Sequence, residues 1–262
     1  SWADKDFSVT AGTFYEQFGS GLLFRSWEDR MLGLNNAVMG ARFTYNYKNI
    51  VRLKAIWGTP RFGMDFSDTQ VRGVDVSFSL SEMLSWQNTS LSIEGGALNR
   101  YEKINIDLEE EGGKPYSNGF SGRVNFERSG FTAKGEYVDG GNKYYNFIHD
   151  DKLYARKRAN AQLLELGYSG NGLGVNLTGR RLEWMNSEII AGNGSTSNLL
   201  NYVPAMSTQY TYMLTNLHPH TPQIGDVTNA VSGEMGGQLD VFYHFKSCLL
   251  YTSDAADDRI SV

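Results

Sequence analysis

The stretch NGFSGRVNFERSGFTAKGEYVD, residues 118–139, decides the fold class, because both of its halves alternate between apolar or small residues and polar ones. In the first half Phe120, Gly122, Val124 and Phe126 fall on one side, and Ser121, Arg123, Asn125 and Glu127 on the other. The second half sets Phe131, Ala133, Gly135 and Tyr137 against Thr132, Lys134 and Glu136. Successive side chains of a strand point to opposite faces, so this spacing predicts two strands, each with one greasy and one charged face. Arg128-Ser129-Gly130 supplies the turn, since glycine takes the positive φ that a short hairpin loop requires. Such a hairpin suits a soluble sandwich, and it equally suits a membrane barrel whose apolar face meets lipid.

Working outward from this hairpin, period-two alternation yields about ten strands. The others cover residues 6–13, 38–47, 50–58, 72–80, 90–98, 160–169, 173–185 and 234–245. The links between them separate the two architectures. Short links lie at 48–49, 81–89, 128–130 and 170–172, and long ones at 14–37, 59–71, 99–117, 140–159 and 186–233. A rim of short turns facing a rim of long loops is the habit of an outer-membrane barrel, and a soluble sandwich has no reason to keep it. Strands of about nine to eleven tilted residues also match the hydrocarbon thickness. Aromatics gather toward strand ends at Tyr45, Tyr47, Trp57, Phe126, Phe131, Tyr137, Tyr243 and Phe245, where interfacial girdles would place them. The expected fold is all-β: an antiparallel, up-and-down transmembrane β-barrel, incomplete over the residues given.

Composition narrows the function. The 262 residues are 13% aromatic, include 29 glycines and carry a formal net charge of -5. Mean hydropathy is -0.40, and no apolar run reaches the length of a membrane-spanning helix. A barrel strand, being only half apolar, leaves little trace in such averages. Mixed charge without a basic stripe argues against a nucleic-acid partner. The lone Cys248 cannot form an intrachain disulfide. Ser1 already stands at the entry to a strand, which predicts a mature or truncated N-terminus.

Two stretches carry a family resemblance. FYEQFGSGLLFRSWEDRMLGLNNAVMGAR (14–42), and 201–245 with its NYVPAMSTQYTYML and GEMGGQLDVFYHF, resemble an uncharacterised outer-membrane barrel family of Bacteroidota. The resemblance spans most of residues 1–245. It implies a Gram-negative outer membrane and a porin-like barrel, and brings neither a substrate nor catalytic residues. The tail SCLLYTSDAADDRISV (247–262) differs in kind. It loses alternation, holds the only cysteine, and resembles translated sequencing-adapter read-through. The expected organisation is thus a barrel fragment over 1–246 and an artefactual, disordered tail over 247–262, with natural strands missing and two sheet edges unpaired.

Candidate site residues follow from the alternation. Arg42, Arg52, Lys54, Asp75, Glu94, Arg123, Glu127, Lys134, Glu136, Arg180 and Asp240 sit at polar positions of the strands and are expected to face a water-filled, weakly ion-selective lumen. Phe120, Val124, Phe126, Phe131 and Tyr137 are expected to face lipid. On that basis Arg123→Ser should mainly alter selectivity. The loop 14–37 combines Gly19-Ser20-Gly21 with Phe14, Tyr15, Phe18, Leu22, Leu23, Phe24 and Trp27, too many apolar groups to hang in solvent. It is expected either to fold into the barrel mouth, with Glu16, Arg25, Glu28, Asp29 and Arg30 at a constriction, or to pack on the rim.

Other motifs are weak. His218-Pro219-His220 lacks a third ligand at metal-binding spacing, and Glu109-Glu110-Glu111 lacks the alternating acids of a calcium loop. Asn88-Thr89-Ser90 and Asn193-Gly194-Ser195 match a glycosylation pattern that is uninformative in a bacterium. The Gly-rich turns precede strands, not the helices a phosphate cradle needs. No nucleophile motif or Ser/His/acid set stands out. The expectation is a non-enzymatic channel for small polar solutes in the bacterial outer membrane, with outer-membrane lipid around it and no cofactor or metal. The alternatives are a barrel enzyme acting at the membrane rim, or a surface-binding barrel whose long loops engage glycans or proteins.

Overall fold

A computed structural model of the chain describes residues 1–30, 34–103, 113–146, 154–185, 187–191, 200–201 and 233–244. Ten long strands form one antiparallel sheet: β1 (Phe7–Phe14), β2 (Val38–Tyr47), β3 (Val51–Phe62), β4 (Gln70–Ser79), β5 (Thr89–Tyr101), β6 (Tyr116–Arg128), β7 (Phe131–Asn146), β8 (Tyr154–Gly170), β9 (Leu173–Glu183) and β10 (Gly233–Tyr243). Each pairs with its neighbours in sequence, which makes the sheet an up-and-down meander. The all-β antiparallel expectation is therefore met. Among the described residues the sheet is open, with Trp2–Ala3 at one edge and β10 at the other.

Turn chemistry fixes the register. Lys48 and Asn49 have φ of 50° and 59°, Ser129 and Gly130 49° and 84°, and Asn171 and Gly172 53° and 79°. Two consecutive residues at positive φ make the tight turn whose twist matches that of the strands it joins. The fourth short connection holds a single helical turn, α1 (Leu80–Met83), capped by Ser79, whose Oγ accepts from the Glu82 N–H at 3.4 Å.

The long loops expected at 59–71 and 140–159 are largely strand. Strand β3 runs to Phe62 and β4 starts at Gln70, while β7 and β8 pair as far as Asn146 and Tyr154. Gly140-Gly141 breaks the alternation, and the break is a β-bulge. The pairing shifts between Asp139 and Gly141, and Gly141 takes φ 76° to absorb the extra residue. Pairing then resumes, with the bulge bending the strand locally.

The two faces have inverted environments. On the apolar face Phe120, Val124 and Phe131 are 56%, 46% and 55% exposed, whereas on the charged face Asp75, Arg123 and Glu136 are only 6%, 5% and 8% exposed. The apolar positions run in lateral rows across the sheet, such as Phe78, Ile93, Val124, Gly135 and Leu164, and all of these rows lie on one face. What covers part of the charged face is the segment 15–37, described over residues 15–30 and 34–37. Its Phe18, Leu22, Leu23 and Phe24 join Phe14, Val38, Ile56, Val71 and Val138 in the main apolar cluster of the described residues. The core thus sits on the charged face, toward the long-loop rim, under a segment that folds back across the strands.

Candidate functional site

The covering segment is built from two short pairings, Gln17–Phe18 with Phe24–Arg25 and Glu28–Asp29 with Leu34–Asn35. It fits because small residues floor the sheet beneath it. A Cβ at Gly119 would meet Leu23 Cδ1 at 2.7 Å, and one at Gly96 would meet Leu23 Cδ2 at 3.3 Å. On the next strand, a Cβ at Gly73 would meet Phe18 Cε2 at 2.7 Å. Truncating Leu23 to alanine should weaken this docking by roughly 2–5 kcal/mol, the usual cost of emptying a buried leucine site. Limited trypsin digestion should register that loss as faster cleavage after Arg25; unchanged cleavage would mean that Leu23 does not anchor the segment.

Polar contacts tie the same segment down. Glu16 accepts from Lys54 Nζ at 2.8 Å and pairs with Arg42 NH1 at 3.5 Å. Lys54 Nζ also donates to the Gln17 carbonyl at 3.0 Å, and Arg42 NH1 to the Tyr15 carbonyl at 3.3 Å. Farther along, the Ser20 N–H donates to Glu136 Oε2 at 3.3 Å, and Gly19 lies hard against the Arg123 side chain.

Beneath the segment Arg123 bridges two carboxylates on neighbouring strands. Its Nε donates to Glu94 Oε2 at 2.9 Å, its NH2 donates to Asp75 Oδ1, and its NH1 donates to Ser121 Oγ at 3.2 Å. Asn125 Nδ2 donates to the other Glu94 oxygen at 3.0 Å, with Ser92 Oγ 3.4 Å from the same atom. The guanidinium fork matches two acids at once, which is how a buried charge group becomes tolerable. Two cavities flank Gly19 on this face. One, of about 340 Å³, is lined by Arg123, Lys134, Glu136 and Glu165; the other, of about 360 Å³, by Arg52, Lys54, Asp75 and Glu94.

All the strand residues singled out from alternation share this charged face by register. They divide by depth. Arg123, Asp75 and Glu136 are buried under the segment instead of facing water, so the expectation that Arg123 acts as a free selectivity charge is revised. Alternation reports which face a residue takes, and the cover comes from elsewhere in the chain. Lys134 and Glu165 remain open, paired across β7 and β8 at 3.6 Å, and Glu127 and Arg52 are exposed. Arg180 lies between Leu163 and Gly236 in register, and Asp240 accepts two hydrogen bonds from Gln238.

Of the loop charges, Glu16 is the one that grips Lys54 and Arg42. Arg25 lies 5.3 Å over the Trp27 ring, and its backbone N–H donates to the Leu200 carbonyl at 2.7 Å. Glu28 and Arg30 pair with each other at 3.5 Å on the exposed side, while Asp29 is in the backbone pairing with Leu34. A second buried set on the long-loop side, Arg100, Lys143 and Glu188, is absent from the expected site. Its members fell in stretches read as loops, where no alternation could place them.

His218-Pro219-His220, Glu109-Glu110-Glu111, Asn193 and the tail 247–262 lie outside the described residues. Among the described residues no cluster of three or more His, Cys, Asp or Glu side chains is arranged to hold a metal ion. No helix there is long and apolar enough to cross a membrane, which says nothing of crossing by strands.

The chain belongs to the family of unknown function DUF6029, whose family model matches residues 1–251. No curated protein matches it.

Proposed function

We propose that this member of the family is a transmembrane β-barrel protein of a Gram-negative outer membrane, a porin-like path for small polar solutes. The observation that carries this reading is the inversion of the two faces. A sheet in water turns its apolar face to a core, whereas here that face is open and the charged face holds the buried groups. Hydrocarbon is the solvent in which the arrangement is favourable. Apolar positions from Phe120 to Phe126, or from Tyr47 to Met39, extend over roughly 20–27 Å of strand, which after tilting approaches the ~25 Å band of such barrels. Aromatics mark both borders of the band. Tyr47, Phe131, Tyr168 and Tyr243 stand beside the short turns, and Trp57, Phe120 and Tyr137 toward the long-loop side.

In this reading the open edges at Trp2–Ala3 and β10 are closed by further strands, and the charged face lines water. Segment 15–37 narrows the path, and solutes pass beside Gly19 along Arg52, Lys54, Lys134 and Glu165. Deleting residues 19–30 should raise single-channel conductance in planar bilayers. Conductance equal to that of the intact chain would remove the constriction from the proposal. Absence of any conductance, together with Trp57 fluorescence that brominated lipids fail to quench, would remove the barrel itself.

A further inference from the structure

Beside the bulge, on the apolar face, lies a groove of about 370 Å³ where the greasy band gives out. Exposed Phe120 and Tyr116 of β6 line it together with Lys114, and so do Asp139 of β7 and Arg156 and Arg158 of β8. Arg158 is spoken for: its Nε donates to Asp139 Oδ1 at 3.2 Å, and its NH2 pairs with the other oxygen. Lys114 and Arg156 have no acidic partner among the described residues, and Lys114 Nζ lies 5.7 Å over the Tyr116 ring. Beyond the bulge Arg156 stands opposite Tyr144 and Arg158 opposite Asn142, and β8's own alternation puts both arginines on the face of Leu164 and Leu166, toward the long-loop rim.

A groove lined by both exposed aromatic rings and cations, at the edge of a lipid-facing band, meets neither hydrocarbon nor bulk water but the headgroup layer. We infer that it binds the anionic, phosphate-bearing headgroup of a membrane lipid, with Arg156 and Lys114 on the phosphate and Phe120 and Tyr116 against the start of the acyl chains. The guanidinium offers a phosphate two parallel N–H donors, and the ammonium adds a point charge. The inference rests on the membrane reading above and names a partner for it.

The test uses the full chain folded into phosphatidylcholine vesicles containing phosphatidylglycerol, then released into detergent and weighed with its retained lipids by native mass spectrometry. The intact protein should keep phosphatidylglycerol over phosphatidylcholine. Lys114→Ala with Arg156→Ala should cut that preference by roughly thirtyfold, the combined value of two cations near an anionic headgroup. Lys48→Ala with Arg128→Ala, at the opposite rim, should leave it unchanged. Equal retention of the two lipids, or a double variant indistinguishable from the intact chain, would overturn the inference while leaving the barrel standing. Displacement of the lipid by millimolar inorganic phosphate alone would assign the groove to free phosphate and overturn the lipid assignment. Failure to enter vesicles of either composition would overturn the membrane reading and this inference with it.

Discussion

Arg123→Ala is expected to lower the stability of the folded chain by roughly 3–5 kcal/mol, the usual cost of removing one member of a buried ion group. The deletion leaves two carboxylates, Asp75 and Glu94, without their shared cation, Asp75 buried beneath the segment and Glu94 only partly exposed beside it. It also takes away the side chain against which Gly19 rests, so the segment should loosen with the sheet. The measurement is the urea midpoint of the protein in detergent or vesicles, followed by trypsin susceptibility of the segment. Combining Arg123→Met with Asp75→Asn and Glu94→Gln removes the charges together and should recover most of the loss, because the penalty belongs to the unpaired acids. A single variant as stable as the parent would show that the bridge does not hold the strands.

Val124→Arg, one residue along the same strand, tests the opposite face. Val124 lies in the middle of the apolar band, between Ile93 and Gly135 in register. A cation placed near the midplane of a bilayer costs about 2–4 kcal/mol, falling toward zero at the interfaces. The variant should therefore fold poorly into vesicles, and Thr13→Arg, near the rim, should fold almost normally. In a soluble sheet both positions are solvent-exposed and both substitutions would be near neutral. Equal behaviour of the two variants in vesicles would count against the membrane reading.

Much of the sheet was legible in the alternation around residues 118–139, since a strand's side-chain period is fixed by covalent geometry. That period places Arg123 and Val124 on opposite faces without further knowledge. It is silent on depth. Arg123 and Lys134 look alike in sequence, yet one is buried and the other open, because only the first lies under Gly19. The bulge at Asp139 and Gly141 was illegible for a related reason. A two-residue glycine break reads as a loop unless the partner strand is known to continue. The apolar content of segment 15–37 showed that it would pack but left mouth and rim both open, because its seat is spread over Gly73, Gly96 and Gly119, which become neighbours only through pairing.

That seat has a consequence for the order of events in assembly. Gly73, Gly96 and Gly119 belong to three successive hairpin strands, all made after the segment they receive. The segment leaves the synthetic machinery early and must wait, its phenylalanines and leucines uncovered, until three later strands have aligned. Closing so distant a contact comes after the local hairpins have formed, since chain closure costs more as the loop grows. The interval is one in which Phe18, Leu22, Leu23 and Phe24 offer a sticky, unfinished surface to anything that shields nascent chains.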